Sequence, residues 1–499
     1  MDATEPLRRA ARRWPEREAL RAGARALTFA ELDRRVNRLA RLLGRTGVGH
    51  GDRVATNLAN SIEHVVAEMA VLRAGAAWVA INRRLAPPEV AFMLEHSGAR
   101  VLLTDGEAPP PVGVLPALEA VYDVSGRDPD VERRLTAETD VPPALAVGEY
   151  DVARLRYTSG TTGRPKAAVL THASALTSLR NLLAELHDLA VDDVVLHVAP
   201  LTHASEALLA PAFWRGARTV ICAGFDPGEV VATIARERVT TVFLVPTMVA
   251  ALVDEAERTG DPCASLRTLV YGAAPMPGEL LERALARFGP VLLQIYGLSE
   301  CPFPITTLRK DDHLDPRLRG TCGLPTAMNE VRVLGADGEP LEPGAIGQVT
   351  VRGPQMMREY WRDPQATVAT LVAGWLRSGD VGTCDASGFL TLLDRSDDVI
   401  ISGGFNVYPR EVEVVLEAHP AVLEAAVAAV PHARWGQGVA AWVVCRPGAE
   451  VSERELIDFC RPRLASYKKP VQVSFVSELP KNTAGKLLRR SLREEREAR

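Results

Sequence analysis

The amino-acid sequence predicts an α/β protein: a large N-terminal domain of layered sheets and helices with a small antiparallel β subdomain, then a small α+β C-terminal domain. Three observations predict it. Short β-branched runs alternate with amphipathic helical stretches as far as Tyr296. Gly- and Pro-rich turns replace that rhythm after about residue 320. A second alternation of helices and strands follows the charged segment Asp394-Arg395-Ser396-Asp397-Asp398. With 499 residues, 47% of them hydrophobic and 24% charged, the chain can build one large core and a smaller one.

The elements follow in order. Residues 29–44 predict a helix, because Leu32, Val36, Leu39, Ala40 and Leu43 recur at helical spacing while Arg and Asp fill the other face. Strands are predicted at 101–103, 218–222, 241–245, 269–271 and 292–296, with helices at 227–238 and 277–288 between some of them. That alternation argues for mainly parallel sheet. Residues 331–353 read as short antiparallel strands, separated by Ala336-Asp337-Gly338 and Glu342-Pro343-Gly344. Helices at 409–418 and 452–463 and strands at 422–430 and 439–445 compose the last segment. The domains are therefore read as 1–396 and 397–499.

Charge and composition exclude several function classes. The balance of 58 basic and 63 acidic residues, net -5, lacks the basic excess of a nucleic-acid binder. The seven cysteines form no CxxC pair, which argues against a disulfide framework or structural zinc and for a cytoplasmic protein. The longest apolar stretch, 65–80, is interrupted by Glu68 and Arg73, so no membrane span is expected. The N-terminus turns Arg-rich without an apolar signal core.

The most informative stretch is Tyr157-Thr-Ser-Gly-Thr-Thr-Gly-Arg-Pro-Lys166. Gly160 and Gly163 free the backbone to turn its N–H groups toward an anion. Thr158, Ser159, Thr161 and Thr162 add hydroxyl donors, and Lys166 adds charge. Such a loop suits the phosphates of ATP, although it lacks the terminal Gly-Lys-Ser/Thr of a Walker A loop.

This loop and the segments after it resemble the adenylate-forming enzyme superfamily, which comprises acyl- and aryl-CoA synthetases, nonribosomal adenylation domains and luciferases. The resemblance runs from Leu27-Thr-Phe-Ala-Glu-Leu-Asp33 to the C-terminal lysine motif and is closest to bacterial acyl- and aryl-CoA ligases. It implies an ATP-dependent acid–thiol ligase that adenylates a carboxylic acid and passes it to coenzyme A. In Gln294-Ile-Tyr-Gly-Leu-Ser-Glu300 it assigns Tyr296 and Gly297 to adenine, Ser299 to the α-phosphate or the substrate carboxylate, and Glu300 to Mg²⁺. Gly272, Ala273 and Ala274 would flank the adenine, while Asp380 and Arg395 would hold the ribose and nucleotide. Lys486, in Pro480-Lys-Asn-Thr-Ala-Gly-Lys486, would bridge the acyl carboxylate and the α-phosphate during adenylation.

The resemblance also implies a mobile C-terminal domain turning at Asp397, which would bring Gly403 and Gly404 to the thiol tunnel. His203 would line the acyl pocket. Ala204 stands near the position where amino-acid-activating relatives place an Asp, which argues against an α-amino acid. Glu206 replaces a common Gly, and Asn181 sits where aryl-CoA ligases often carry an aromatic. Together they suggest a substrate with a polar or amino substituent remote from its carboxylate. Arg84, Trp435 and Lys469 match positions that contact CoA in other members. The alternative acceptor is the phosphopantetheine of an acyl carrier protein, or another nucleophile. A non-catalytic nucleotide-binding relative is a further alternative, which the intact Lys166, Glu300, Asp380 and Lys486 oppose.

Overall fold

The computed structural model describes residues 1–106, 115, 117–158, 165–395, 398–402, 405–432, 436–465, 467–481, 487–489, 491 and 492. The helix predicted at 29–44 spans Phe29–Arg45 and buries Leu32, Val36, Leu39 and Leu43. A reciprocal cap starts it: Glu31 N–H donates to Thr28 Oγ1 at 3.2 Å, and Thr28 N–H donates to Glu31 Oε2 at 2.8 Å. The predicted helices at 227–238 and 277–288 appear as Pro227–Glu237 and Gly278–Phe288. The one predicted at 452–463 stops at Cys460, because Pro462 has no amide hydrogen to continue it.

By its contacts the chain divides into two units. The first holds residues 1–319, 323–330 and 352–376, and the second 320–322, 331–351 and 377–499. The first unit contains two large sheets. One runs in the order Leu324–Pro325, Thr306–Leu308, Leu292–Tyr296, Thr268–Gly272, Thr241–Leu244, Val194–His197, Arg218–Ile221, Glu18–Ala22, Arg25–Thr28. Its six strands from Leu292–Tyr296 to Glu18–Ala22 are parallel to their neighbours, with antiparallel pairs at the edges. The other runs Glu359–Tyr360, Lys166–Thr171, Val152–Thr158, Ala77–Ala80, Arg53–Asn57, Val101–Thr104, Ala120–Asp123.

Helix Ile62–Arg73 explains the apolar stretch that the sequence shows without amphipathic spacing. It is buried on all sides, and its side chains join a core with strand residues of both sheets, including Leu20, Val54 and Leu103. Its charged members are paired inside: Arg73 Nη1 meets Asp33 Oδ1 at 2.6 Å, and Arg154 Nη2 meets Glu68 Oε1 at 2.6 Å. No helix among the described residues is long and apolar enough to cross a membrane, and no disulfide joins the cysteines.

The second unit has two smaller sheets. One is built on Glu330–Leu334, Gly347–Arg352 and Trp375–Cys384, with Leu390–Arg395 antiparallel to the last of these. The other orders Phe405–Val407, Ile400–Ser402, Gly436–Cys445 and Val422–His432, and Gln472–Phe475 pairs parallel to Gly436–Cys445. Val422–His432 is covered on both faces. Ala425 and Val427 meet the side that carries helices Pro409–Glu417 and Glu453–Cys460, while Ala426, Ala428 and Val430 meet Leu479 and Leu492. Burial on both faces is why this strand reads as a continuous apolar run rather than an alternation.

Candidate active site

The two ends of the Ser/Thr/Gly motif lie on antiparallel strands, with Val152–Thr158 paired to Lys166–Thr171 and Thr158 opposite Lys166. Ser159, Gly160, Thr161, Thr162 and Gly163 lie outside the described residues. The far side of Lys166–Thr171 pairs with Glu359–Tyr360, which brings a residue of no recognised motif into the site. Tyr360 donates its hydroxyl to Glu300 Oε1 at 2.6 Å. Lys166 Nζ sits 5.4 Å from the centre of the same ring, within cation–π reach. The lysine of one motif and the carboxylate of another thus converge on one phenol. The backbone holds Glu300 as well, since Met357 N–H donates to its carbonyl at 2.6 Å.

The segments that the sequence assigns to adenine leave the C-terminal ends of two adjacent parallel strands, Thr268–Gly272 and Leu292–Tyr296, where open α/β sheets form their ligand crevices. Gly272 is required there because a Cβ would come within 2.3 Å of the Ile295 carbonyl oxygen. Ala273 adopts the left-handed region at φ +68, an unusual conformation for an alanine, and Ala274 follows it half-buried. A Cβ on Gly297 would lie 2.5 Å from Phe303 Cβ, so this turn too depends on glycine. Tyr296 is buried, and Ser299 is half-buried next to Glu300.

His203 precedes the short 3₁₀ turn Ala204–Leu208, and its Nδ1 lies 3.0 Å from Thr202 Oγ1. Burial pushes its imidazole below the usual range; the Thr202 hydrogen bond opposes this, and the Arg156 and Arg84 charges add to it. Arg84 itself is exposed and its N–H donates to Asn82 Oδ1 at 2.9 Å. Glu206 points neither to solvent nor to open space. Arg154 Nη1 donates to its Oε2 at 2.7 Å, Arg154 Nη2 approaches Oε1 at 2.7 Å, and Arg156 Nη2 reaches Oε2 at 3.1 Å. Asn181 is buried and donates Nδ2 to Gln355 Oε1 at 2.8 Å. Gln355 in turn donates to the carbonyls of Pro302 and Pro304 at 2.5 and 3.1 Å. Both polar residues that the sequence singles out are therefore tied within the first unit.

In the second unit, Asp380 and Arg395 face each other across the pair Trp375–Cys384 and Leu390–Arg395, with Arg395 Nε 3.0 Å from Asp380 Oδ1. Arg395 Nη1 also donates to the Ser378 carbonyl at 3.1 Å, and Asp380 N–H donates to Ser378 Oγ at 3.0 Å. Lys469 is half-buried in the same unit. Asp397, Gly403, Gly404, Trp435 and Lys486 lie outside the described residues.

Sequence reasoning missed Tyr360, Gln355, Arg154 and Arg156. The two arginines carry a visible signal. They alternate on the strand that enters the phosphate loop, with Arg154 opposite the buried Trp78 of the neighbouring strand.

A nucleotide-binding enzyme is what this arrangement defines: an α/β unit of two large sheets with an antiparallel strand pair, a lysine at its end, and a carboxylate that follows the C-terminal end of a parallel strand. The AMP-binding enzyme family model matches residues 7–361, and the AMP-binding enzyme C-terminal domain matches residues 411–486. The chain belongs to the AMP-binding enzyme family. It is 41% identical over 490 residues to a feruloyl-CoA synthase of an Amycolatopsis species, covering 98% of this chain and 97% of the relative. Among solved structures, ATP-bound MatB from Rhodopseudomonas palustris superposes with a TM-score of 0.91 at 29% identity, covering 99% of each chain. The o-succinylbenzoate CoA synthetase MenE from Bacillus subtilis, in complex with the acyl-adenylate intermediate OSB-AMP, gives 0.86 at 34% identity, covering 98% of this chain and 97% of that one.

Proposed function

We propose that this chain is an ATP-dependent acid–thiol ligase that adenylates a small carboxylic acid and transfers the acyl group to coenzyme A. The observation that carries the reading is the convergence of Lys166 and Glu300 on Tyr360, beside the strand pair that leads into the phosphate loop. The full-length match to a feruloyl-CoA synthase makes aryl acids of the phenylpropenoic type the first substrates to test.

In the first step a carboxylate oxygen attacks the α-phosphorus of ATP and pyrophosphate leaves. In the second, a thiolate attacks the acyl carbon and AMP leaves. The protein's contribution is positioning and electrostatics. Lys166 supplies charge toward the phosphates. Glu300, oriented by the Tyr360 hydroxyl, offers a hard oxygen donor that would suit Mg²⁺ beside phosphates. When bound, the ion offsets the phosphate charge. Asp380 presents a carboxylate to a ribose diol, oriented by Arg395. His203 and Ala204 line the acid pocket. Gly403, Gly404, Arg84, Trp435 and Lys469 serve the thiol end, after a turn of the C-terminal domain at Asp397. A cytoplasmic setting is proposed from the sequence, whose seven scattered cysteines suit a reducing compartment.

We assign the charge bridging of the adenylation step to Lys486. Its replacement by Ala should slow adenylation on the order of 10²–10³-fold. Thioester formation from a supplied acyl-adenylate should slow far less. Rapid-quench assays of the two half-reactions separate these effects, and an equal loss in both contradicts the assignment.

A further inference from the structure

We infer that Arg156 anchors an oxygen acceptor on the acid substrate, at the end remote from the reacting carboxylate, in a seat that Glu206 fixes. This rests on the ligase reading and on the placement of the acid beside His203.

The inference starts from the strand Val152–Thr158. Side chains alternate along it, so Arg154, Arg156 and Thr158 share one face. Leu155 falls on the opposite face, in the apolar cluster with Val79 and Val169. Thr158 opens the phosphate loop, and Arg156 stands one strand repeat behind it, about 7 Å along the backbone. The turn after His203 supplies Glu206 to the same face, and the His203 ring lies within electrostatic reach of Arg156.

The two arginines on this face are engaged unequally. Arg154 uses its guanidinium on both Glu206 and Glu68. Burial, and then the neighbouring Glu206 charge, push the Glu68 carboxyl above the usual carboxylate range. Burial acts on Glu206 in the same sense, but Arg154 and Arg156 outweigh it and keep this carboxylate charged. His64 and His197, which also feel Glu206, are held neutral by burial. Glu206 thus accepts from two guanidiniums, and Arg154 also reaches Glu68.

Arg156 is the member with capacity left. Among the described residues its hydrogen bond goes from Nη2 to Glu206 Oε2, which leaves Nε and Nη1, and its side chain is 18% exposed. A phenolic or carboxylate oxygen would take up those donors, whereas an ammonium offers them no acceptor. The polarity is thus the reverse of what Glu206 suggests when read alone, because its negative charge is already spent on arginines.

The test compares the intact enzyme with Arg156→Gln on cinnamate, 4-hydroxycinnamate and 4-carboxycinnamate, each with ATP, Mg²⁺ and CoA. For the intact enzyme, kcat/KM should favour the oxygen-bearing acids. In Arg156→Gln that preference ratio should fall about tenfold or more, the worth of a hydrogen bond from a charged donor. The KM for CoA should stay within about twofold. Glu206→Gln should raise KM for the oxygen-bearing acids more than it lowers kcat, and Glu206→Asp should recover part of the loss. If Arg156→Gln does not fold, Arg156→Lys, which keeps the charge but loses the fork, should give a smaller fall in the same ratio. An intact enzyme that turns over all three acids equally overturns the inference, as does a variant whose CoA KM rises while the acid ratio holds. Both outcomes leave the ligase activity standing. Failure of the intact enzyme on every acid instead removes the reading beneath it.

Discussion

Tyr360 donates to Glu300 Oε1 at 2.6 Å while the Lys166 ammonium lies 5.4 Å from its ring, so one side chain orients groups from two motifs. Removing the hydroxyl in Tyr360→Phe keeps the ring under Lys166 but frees the carboxylate. A hydrogen bond to a charged group is worth about 1.5–3 kcal/mol. The variant should therefore need about tenfold more Mg²⁺ to support ATP binding, read by nucleotide fluorescence, with a matching fall in kcat/KM. An unchanged Mg²⁺ requirement would remove Tyr360 from the positioning machinery. Lys166, Glu300 and Asp380 are legible in the sequence because each stands in a motif whose neighbours constrain it. Tyr360 is not, since what joins it to Glu300 is strand pairing between Glu359–Tyr360 and Lys166–Thr171 across a long gap in sequence. The same limit hides the partners of Glu206. Its burial on Arg154 and Arg156 depends on which face of Val152–Thr158 the 3₁₀ turn covers.

Elements with local signals are the legible ones. Helix Phe29–Arg45 shows both its apolar face and its cap in the sequence, and strands such as Thr241–Leu244 announce themselves by β-branched runs. Helix Ile62–Arg73 is harder, because burial on every side erases the amphipathic period that identifies a surface helix. Trp375–Cys384 and Leu390–Arg395 are harder still. Their glycines and charges, Gly379, Asp380, Gly382 and Arg395, break the alternation, and they are there because the pair carries Asp380 against Arg395. The junction of Thr268–Gly272 with Leu292–Tyr296 yields a prediction at this scale. In Gly272→Ala the new Cβ would meet the Ile295 carbonyl oxygen at 2.3 Å, a backbone atom that cannot rotate aside. Separating the two strands should cost about 1–3 kcal/mol in denaturant unfolding and weaken ATP binding with it. A variant with unaltered stability and nucleotide affinity would show that this close approach does not shape the site.

For the whole molecule, the order of strands within each sheet is what the sequence does not reveal, since it depends on crossovers rather than on local patterns. The contact division also assigns residues 331–351 and 377–396 to the same unit as the C-terminal segment, whereas composition alone suggests a boundary at 396/397. The hinge at Asp397 remains our proposal for where the C-terminal domain turns. Acid stability is a property of this scale too. Burial holds His64, His172 and His197 neutral, each lowered from 6.5 to about 4. Folded-state values below the unfolded one mean that the stability is fully present above pH 6.5 and is lost as pH falls toward 4. The loss should reach roughly 2 kcal/mol per histidine by pH 5, seen as a falling urea midpoint, and a flat or rising midpoint over that window would contradict it. The central claim is that this chain joins a carboxylic acid to a thiol by way of an adenylate. Its most direct test is pyrophosphate release from ATP and Mg²⁺ with a panel of aryl and acyl acids, each with and without CoA, with products identified by mass spectrometry. The account predicts release that depends on the acid, AMP as coproduct, and an acyl-CoA thioester whenever CoA is present. Acid-dependent release without a thioester would move the acceptor to a carrier-protein phosphopantetheine or another nucleophile, and no acid-dependent release across the panel would contradict the account.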